Sequence, residues 1–276
     1  MPIYPPFIMT IEQTGRRIID NTLVDNGTRY VMDPEGLRRV VDDRTRLVFF
    51  CNPHNPTGRV FERAELEALA EVAIERDLIV VSDEIHADLL YDGRQHIPLA
   101  TLGPEIAART VTITSATKGF NIPGLRCALM HFGSPELKAR YHQRIPDRLL
   151  GQVNPIGIDA TVAAWREGQP WLDAVMATLA SNRDRVTRVV AEELPAIHYY
   201  PPEGTYLAWF DCSALKLPEA PFEFFLDQAR VGLNNGVEFG PAYAQFVRLN
   251  FATSATILEQ VLDRMTTAVR SAVPAR

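Results

Sequence analysis

Three stretches of this chain place reactive side chains directly behind apolar runs. Asn55 lies in Asn52-Pro-His-Asn-Pro-Thr-Gly58, behind Arg46-Leu-Val-Phe-Phe-Cys51. Asp83 lies in Ser82-Asp-Glu-Ile-His86, behind Leu78-Ile-Val-Val81. Lys118 lies in Thr114-Ser-Ala-Thr-Lys-Gly119, behind Thr110-Val-Thr-Ile-Thr114. The runs are short, apolar or β-branched, and end in turn residues, which is the pattern of strands. In open α/β sheets ligands bind outside the carboxyl ends of the strands. An amide, a carboxylate and a lysine with hydroxyl neighbours therefore converge on one rim. That set suits pyridoxal phosphate: a lysine for the Schiff base, a carboxylate for the pyridinium nitrogen, and hydroxyls with an arginine for the phosphate.

The surrounding pattern supplies the elements that must position these groups. Residues 62–77 place Leu66, Leu69, Ala70 and Ala73 on one helical face. Leu78–Val81 reads as a strand covered on both faces, and Arg126–Phe132 as a further strand after Gly124. This alternation predicts an α/β layer sandwich with a mostly parallel sheet. The last third changes texture. Leu172, Val175, Leu179, Val186, Val190 and Leu194 mark a long amphipathic helix over 172–194. Thr205–Asp211 and Gln245–Phe251 read as strands, the second with Phe246, Arg248 and Asn250 on one face and Val247, Leu249 and Phe251 on the other. A final helix starts from a Ser254 cap and runs through Ile257, Val261, Met265 and Val269. The expected division is a large domain over 1–171 and a smaller α+β domain over 172–276.

The stretches CNPHNPTGRVF, SDEIHADLLYDGRQHIPLATL and TSATKGFNIPGLR, with PEGTYLAWFD and FVRLNFA near the end, resemble the fold-type I pyridoxal-phosphate enzymes, the aspartate-aminotransferase superfamily of class I/II. Within it they are most similar to the cystathionine β-lyase (C–S lyase) branch. The resemblance runs from about residue 2 to the end. It implies a PLP-dependent transferase-like fold and assigns roles. Lys118 matches the Schiff-base lysine, which also moves the proton at Cα, and which burial should favour in its neutral form. Asp83 matches the carboxylate on the ring nitrogen; Glu84 beside it reads as a helix cap. Asn55 matches the amide between the cofactor's 3′-oxygen and the substrate carboxylate, whereas Asn52 reads as a turn residue. His86 stands where many aminotransferases have a tyrosine near that oxygen, and a buried structural histidine fits the position too. Ser115 and Arg126 match the phosphate anchors; an arginine at the second position leans toward the general aminotransferase pattern. Tyr4 matches the aromatic on the ring face, and Arg248 the arginine that grips the substrate α-carboxylate. His96, His131 and His198 read as structural, and Trp165, Trp171 and Trp209 as packing residues. No HExxH or Cys/His cluster points to a metal.

Composition narrows the classes. With 46% hydrophobic and 22% charged residues over 276 positions, the chain is neither disordered nor fibrous. A net charge of −6 argues against a phosphate-backbone binder of nucleic acid. No apolar run approaches the ~20 residues that cross a bilayer, and the proline-interrupted start is a poor signal peptide. Cys51, Cys127 and Cys212, without CxxC spacing, read as buried thiols of a cytoplasmic protein. The resemblance further implies a homodimer. It also places a strand and a phosphate-binding loop upstream of Tyr4, so the expectation is a large domain incomplete at its N-terminus. The expected function is a carbon–sulfur β-lyase that eliminates pyruvate, ammonia and a thiol from cystathionine or cysteine S-conjugates. One alternative is an aminotransferase using the same residues and a keto acid; a second is a truncated, non-catalytic remnant of the fold.

Overall fold

The computed structural model describes residues 1–272. Strands β1 (Val24–Asp25) and β2 (Tyr30–Val31) form a small antiparallel ribbon. Strands β3 (Leu47–Cys51), β4 (Ile79–Asp83), β5 (Thr110–Thr114) and β6 (Leu129–Phe132) form a four-stranded sheet in that order. The first three are parallel and β6 is antiparallel to β5. Strands β7 (His198–Tyr199), β8 (Leu207–Asp211), β9 (Asn234–Asn235) and β10 (Phe246–Asn250) make an antiparallel sheet ordered β7-β8-β10-β9. The helices are α1 (Pro5–Gln13), α2 (Pro34–Val40), α3 (Arg63–Glu75), α4 (Pro104–Ala108), α5 (Ala116–Gly119), α6 (Pro135–Arg144), α7 (Pro155–Glu167), α8 (Gln169–Glu193), α9 (Pro221–Gln228) and α10 (Ala255–Ala272). The expected α/β sandwich with a mostly parallel sheet, joined to an α+β unit, is the fold observed.

The parallel register aligns the chemistry. Cys51 lies opposite Asp83, and Asp83 opposite Ile113. The segments carrying Asn55, Asp83 and Lys118 therefore leave the sheet side by side. Helix α3 anchors that sheet. Glu62 and Glu65 form a reciprocal capping box, and Leu66, Leu69, Ala70, Val72 and Ala73 bury one stripe against Phe50, Leu78 and Val80.

The second core surrounds α8, α9, α10 and the antiparallel sheet, and it takes in Leu89 and Tyr91 from the loop after β4. Leu172, Leu179, Val186 and Val190 of α8 are buried. The boundary expected at 171/172 falls in the first turn of that helix.

Several expectations change in detail. Ile79 and Val81 are half-buried while Val80 is buried, so β4 alternates instead of being covered on both faces. The strand expected from Arg126 begins only at Leu129, because Arg126 adopts left-handed φ of 49° and ends a 3-10 turn. In α10 Ile257 is 52% exposed; the buried stripe is Leu258, Leu262, Met265 and Val269. Trp165 and Trp171 are exposed and only Trp209 is buried, so two of the three tryptophans expected to pack face solvent.

A backbone clamp joins the two units. The Glu203 and Gly204 N–H groups both donate to the Gly58 carbonyl, and Thr205 N–H donates to Leu89 O. Gly58 sits at φ +70°, and a Cβ there would lie 2.3 Å from Pro202 Cβ, so this turn requires glycine. The Glu203 carboxylate accepts from Val60 N–H at 2.9 Å and from buried Arg59 at 3.0 Å.

Leu66 is fully buried in the sheet core. Leu66→Ala is expected to cost about 2–5 kcal/mol, read as a lower urea midpoint with an unchanged slope. An unchanged midpoint would contradict this packing.

Candidate functional site

Asn55 is held by a tight loop. His54 N–H donates to Arg59 O and Gly58 N–H to His54 O, both at 2.7 Å, and His54 Nδ1 meets Thr57 Oγ1 at 2.8 Å. Asn52 is buried and accepts Phe61 N–H at 3.0 Å, the turn role expected of it. Asn55 Oδ1 instead accepts Arg248 Nη1 at 2.7 Å. This bond spans the two units and joins two of the residues singled out from sequence.

Asp83 ends β4, where its Oδ1 accepts Ile85 N–H at 3.1 Å. Burial pushes its pKa up to about 6; Glu84 adds to the rise, and the Ile85 N–H and the Lys118 cation oppose it. His86 is buried edge-on to Tyr206, with ring centroids 5.7 Å apart. Burial, with the Lys118 and Arg248 cations, drives its pKa down to about 3, so the imidazole is neutral at pH 7. Its Nδ1 is buried without a hydrogen-bond partner among the described residues. Glu84 is not a helix cap. A turn begins after it, and its buried carboxylate accepts from Ser82 Oγ and His96 Nε2, each at 2.8 Å, and from Leu99 N–H at 3.2 Å. It pins the turn between Asp83 and His86, and His96 has the structural role expected of it.

Lys118 is half-buried on α5. Ser115 caps that helix: its Oγ accepts Thr117 N–H at 3.1 Å and donates to Cys127 O. The hydroxyl proton is thus committed within the loop. Arg126 is exposed; its backbone N–H donates to Pro123 O, and its side chain makes no hydrogen bond or ion pair among the described residues. Tyr4 immediately precedes α1, with its ring edge-on to Phe7. Ile3 N–H donates to Phe239 O at 3.1 Å, which ties this segment to the second unit. Tyr4 lies near Arg248 and Tyr206. The site thus brings together Tyr4, Asn55, Asp83, His86, Lys118 and Arg248. Ser115 stays engaged in its own loop, and Arg126 bonds to none of the others.

Sequence reasoning missed two groups around Arg248. Asn234 Oδ1 accepts from Nε at 3.2 Å and from Nη2 at 2.8 Å. The Phe239 ring lies 4.8 Å from the guanidinium carbon. Both come from the segment between α9 and β10; Asn234 lies in Gly232-Leu-Asn-Asn-Gly236, whose only sequence signal is a turn. Burial lowers the Arg248 pKa, and the guanidinium remains a cation.

Comparison with known proteins places the chain. Residues 1–265 match the family described as aminotransferase class I and II, and the chain belongs to it. It is 34% identical to the cystathionine beta-lyase PatB of Bacillus subtilis (strain 168) over 270 residues, which are 97% of this chain and 70% of that protein. The crystal structure of OvoB superposes with a TM-score of 0.93 at 40% identity, covering 98% of this chain and 70% of that one. Cystalysin from Treponema denticola, whose crystal structure contains a pyridoxal 5′-phosphate cofactor, gives a TM-score of 0.93 at 30% identity over 98% of this chain and 69% of that one. The family resemblance drawn from the motifs is borne out.

Asp83 also sets a pH dependence. Between the ordinary value of 3.8 and about 6, the folded protein holds a proton that the unfolded chain has released. The penalty therefore grows as pH rises through that window and is complete above it. In ligand-free protein, Asp83→Asn is expected to raise the urea midpoint over wild type at pH 8 and to leave it unchanged near pH 4. An equal effect at both values would contradict the burial of this carboxylate.

Proposed function

We propose that this family member is a pyridoxal-phosphate-dependent carbon–sulfur β-lyase, acting on cystathionine or cysteine S-conjugates. The reaction takes the thioether amino acid and water to pyruvate, ammonia and a thiol. One observation carries the reading: Arg248, from the second sheet, reaches Asn55 on the rim that also holds Asp83 and Lys118. A cation for an α-carboxylate is thereby set in the same site as a lysine and a half-buried acid. The likeness to PatB and cystalysin supports both the lyase chemistry and the cofactor.

The residues present fit the cofactor. The Asp83 carboxylate is desolvated and has no cationic hydrogen-bond partner among the described residues, so a protonated ring nitrogen would relieve its burial cost. The buried, unpartnered Nδ1 of neutral His86 and the Asn55 amide offer polar groups on the same rim. Tyr4 would lie against the ring, and Ser115 and Arg126 would take the phosphate. Of these Ser115 fits least, because its Oγ already meets Cys127 O and Thr117 Oγ1. When bound, the cofactor supplies an electron sink that lets the Cα–H bond and then the Cβ–S bond break. Lys118 would hold it covalently and take the proton from Cα. Arg248 would fix the substrate carboxylate, which leaves the side-chain thioether as the variable part of the substrate.

Further assignments accompany this reading. Residues 1–171 form the cofactor-holding domain and 172–276 the smaller one, a division supported by the main cores around α3 and around α8, α9 and α10. A homodimer is supported by apolar side chains left in solvent on one helix and its approach, Val153, Ile156, Ile158 and Val162. Among the described residues no helix is long and apolar enough to cross a membrane, and the three buried free thiols support residence in the cytoplasm.

The purified protein is expected to show the visible absorbance of a lysine-bound cofactor and to release pyruvate and thiol from cystathionine without a keto acid. Lys118→Ala should lose both absorbance and turnover. Turnover that requires a keto-acid acceptor would make it an aminotransferase. Colourless, inactive wild-type protein would leave the non-catalytic reading.

A further inference from the structure

We infer that Asn234 is a positioning residue that aims Arg248 at a carboxylate while leaving its charge unspent. The inference rests on the proposed role of Arg248. In the antiparallel register Asn234 lies directly opposite Arg248, on the neighbouring strand and the same face. Its Oδ1 takes one edge of the fork, from Nε at 3.2 Å and Nη2 at 2.8 Å. Asn55 Oδ1 takes one hydrogen of Nη1 at 2.7 Å. A guanidinium carries five N–H donors. These contacts use three of them and leave one on each terminal nitrogen for a ligand acceptor.

The chemistry of the supports matters as much as their placement. Two amides and the Phe239 ring hold the guanidinium, and all three are electrically neutral. No carboxylate bonds to Arg248 among the described residues; Glu238 is exposed and acts on it only through space. The cation is oriented without being neutralised. An aspartate at 234 would offer the same acceptor geometry as a charged pair, and would satisfy Arg248 before any substrate arrived. Asn234 therefore selects for a ligand that brings its own negative charge.

The test uses the holoenzyme with Asn234→Ala, Asn234→Asp and Arg248→Ala. It reads kcat, KM and the binding of glycine and of methylamine through the visible spectrum. Because Asn234 is exposed, its substitutions are expected to leave the melting temperature within a few degrees of wild type. Asn234→Ala is expected to raise KM about tenfold with kcat nearly unchanged, to weaken glycine, and to leave methylamine unaffected. Asn234→Asp should weaken glycine at least as much, although its bonds to Arg248 are stronger. A merely structural role predicts the reverse, with aspartate rescuing the alanine variant, and that result would overturn the inference. So would equal losses for glycine and methylamine. If Arg248→Ala weakens glycine but both Asn234 variants bind it normally, this inference fails and the role of Arg248 stands. If Arg248→Ala also binds glycine normally, the reading beneath it fails instead.

Discussion

The clamp at Glu203–Thr205 fixes how the two sheets stand to one another, and the bond from Arg248 to Asn55 depends on it. Backbone bonds from this segment to Gly58 and Leu89 splice the second unit onto the loops that leave β3 and β4. The Glu203 carboxylate sits among Arg59, Arg94 and Arg29 at 3.0, 3.1 and 3.5 Å. Burial lowers the Arg59 pKa even beside Glu203 and Glu65, so desolvation outweighs the pairing at that residue. Such a cluster is weak evidence for stability. Its effect is geometric: a shift of register would leave buried charge unpaired, so the units have one satisfactory way to meet.

On that frame the site is built from groups kept away from their solution states. Asp83 is pushed toward its neutral form and His86 is held neutral, while Lys118 and Arg248 lie near enough to influence them. Polar groups that are buried without full pairing cost stability wherever they occur. Their gathering at the carboxyl rim of a parallel sheet marks where the fold has traded stability for a ligand's arrival.

Much of this was legible in the sequence because strand ends punctuate themselves. Asn-Pro, Ser-Asp and Ser-Ala-Thr-Lys follow β-rich runs, and parallel pairing converts that order into one rim. The alternation around Arg248 survived intact, with Val247 and Leu249 buried and Arg248 turned to the other face. What escaped depended on long-range contacts. Nothing local marks Asn234 as the partner of a residue fourteen positions on, or Glu84 as a clamp for His96 rather than a cap. Helices α1, α2, α6, α7 and α9 also went unread; proline starts and short or mixed faces blur their periodicity. Arg126 was misread because left-handed backbone there interrupts a run that otherwise looks like strand.

The exposed Trp171 has an experimental value of its own. Its ring stacks on Phe120 with centroids 5.8 Å apart, and Phe120 follows Lys118 by two positions. The joint between α7 and α8 is tight here, since a Cβ on Gly168 would lie 2.5 Å from the Phe120 ring. Trp171 thus couples the lysine loop to a chromophore that water can reach, while Trp209 stays buried in the second unit. The fold thus carries a native indole, stacked on the ring that follows Lys118 by two positions, where an unlabelled protein can be probed.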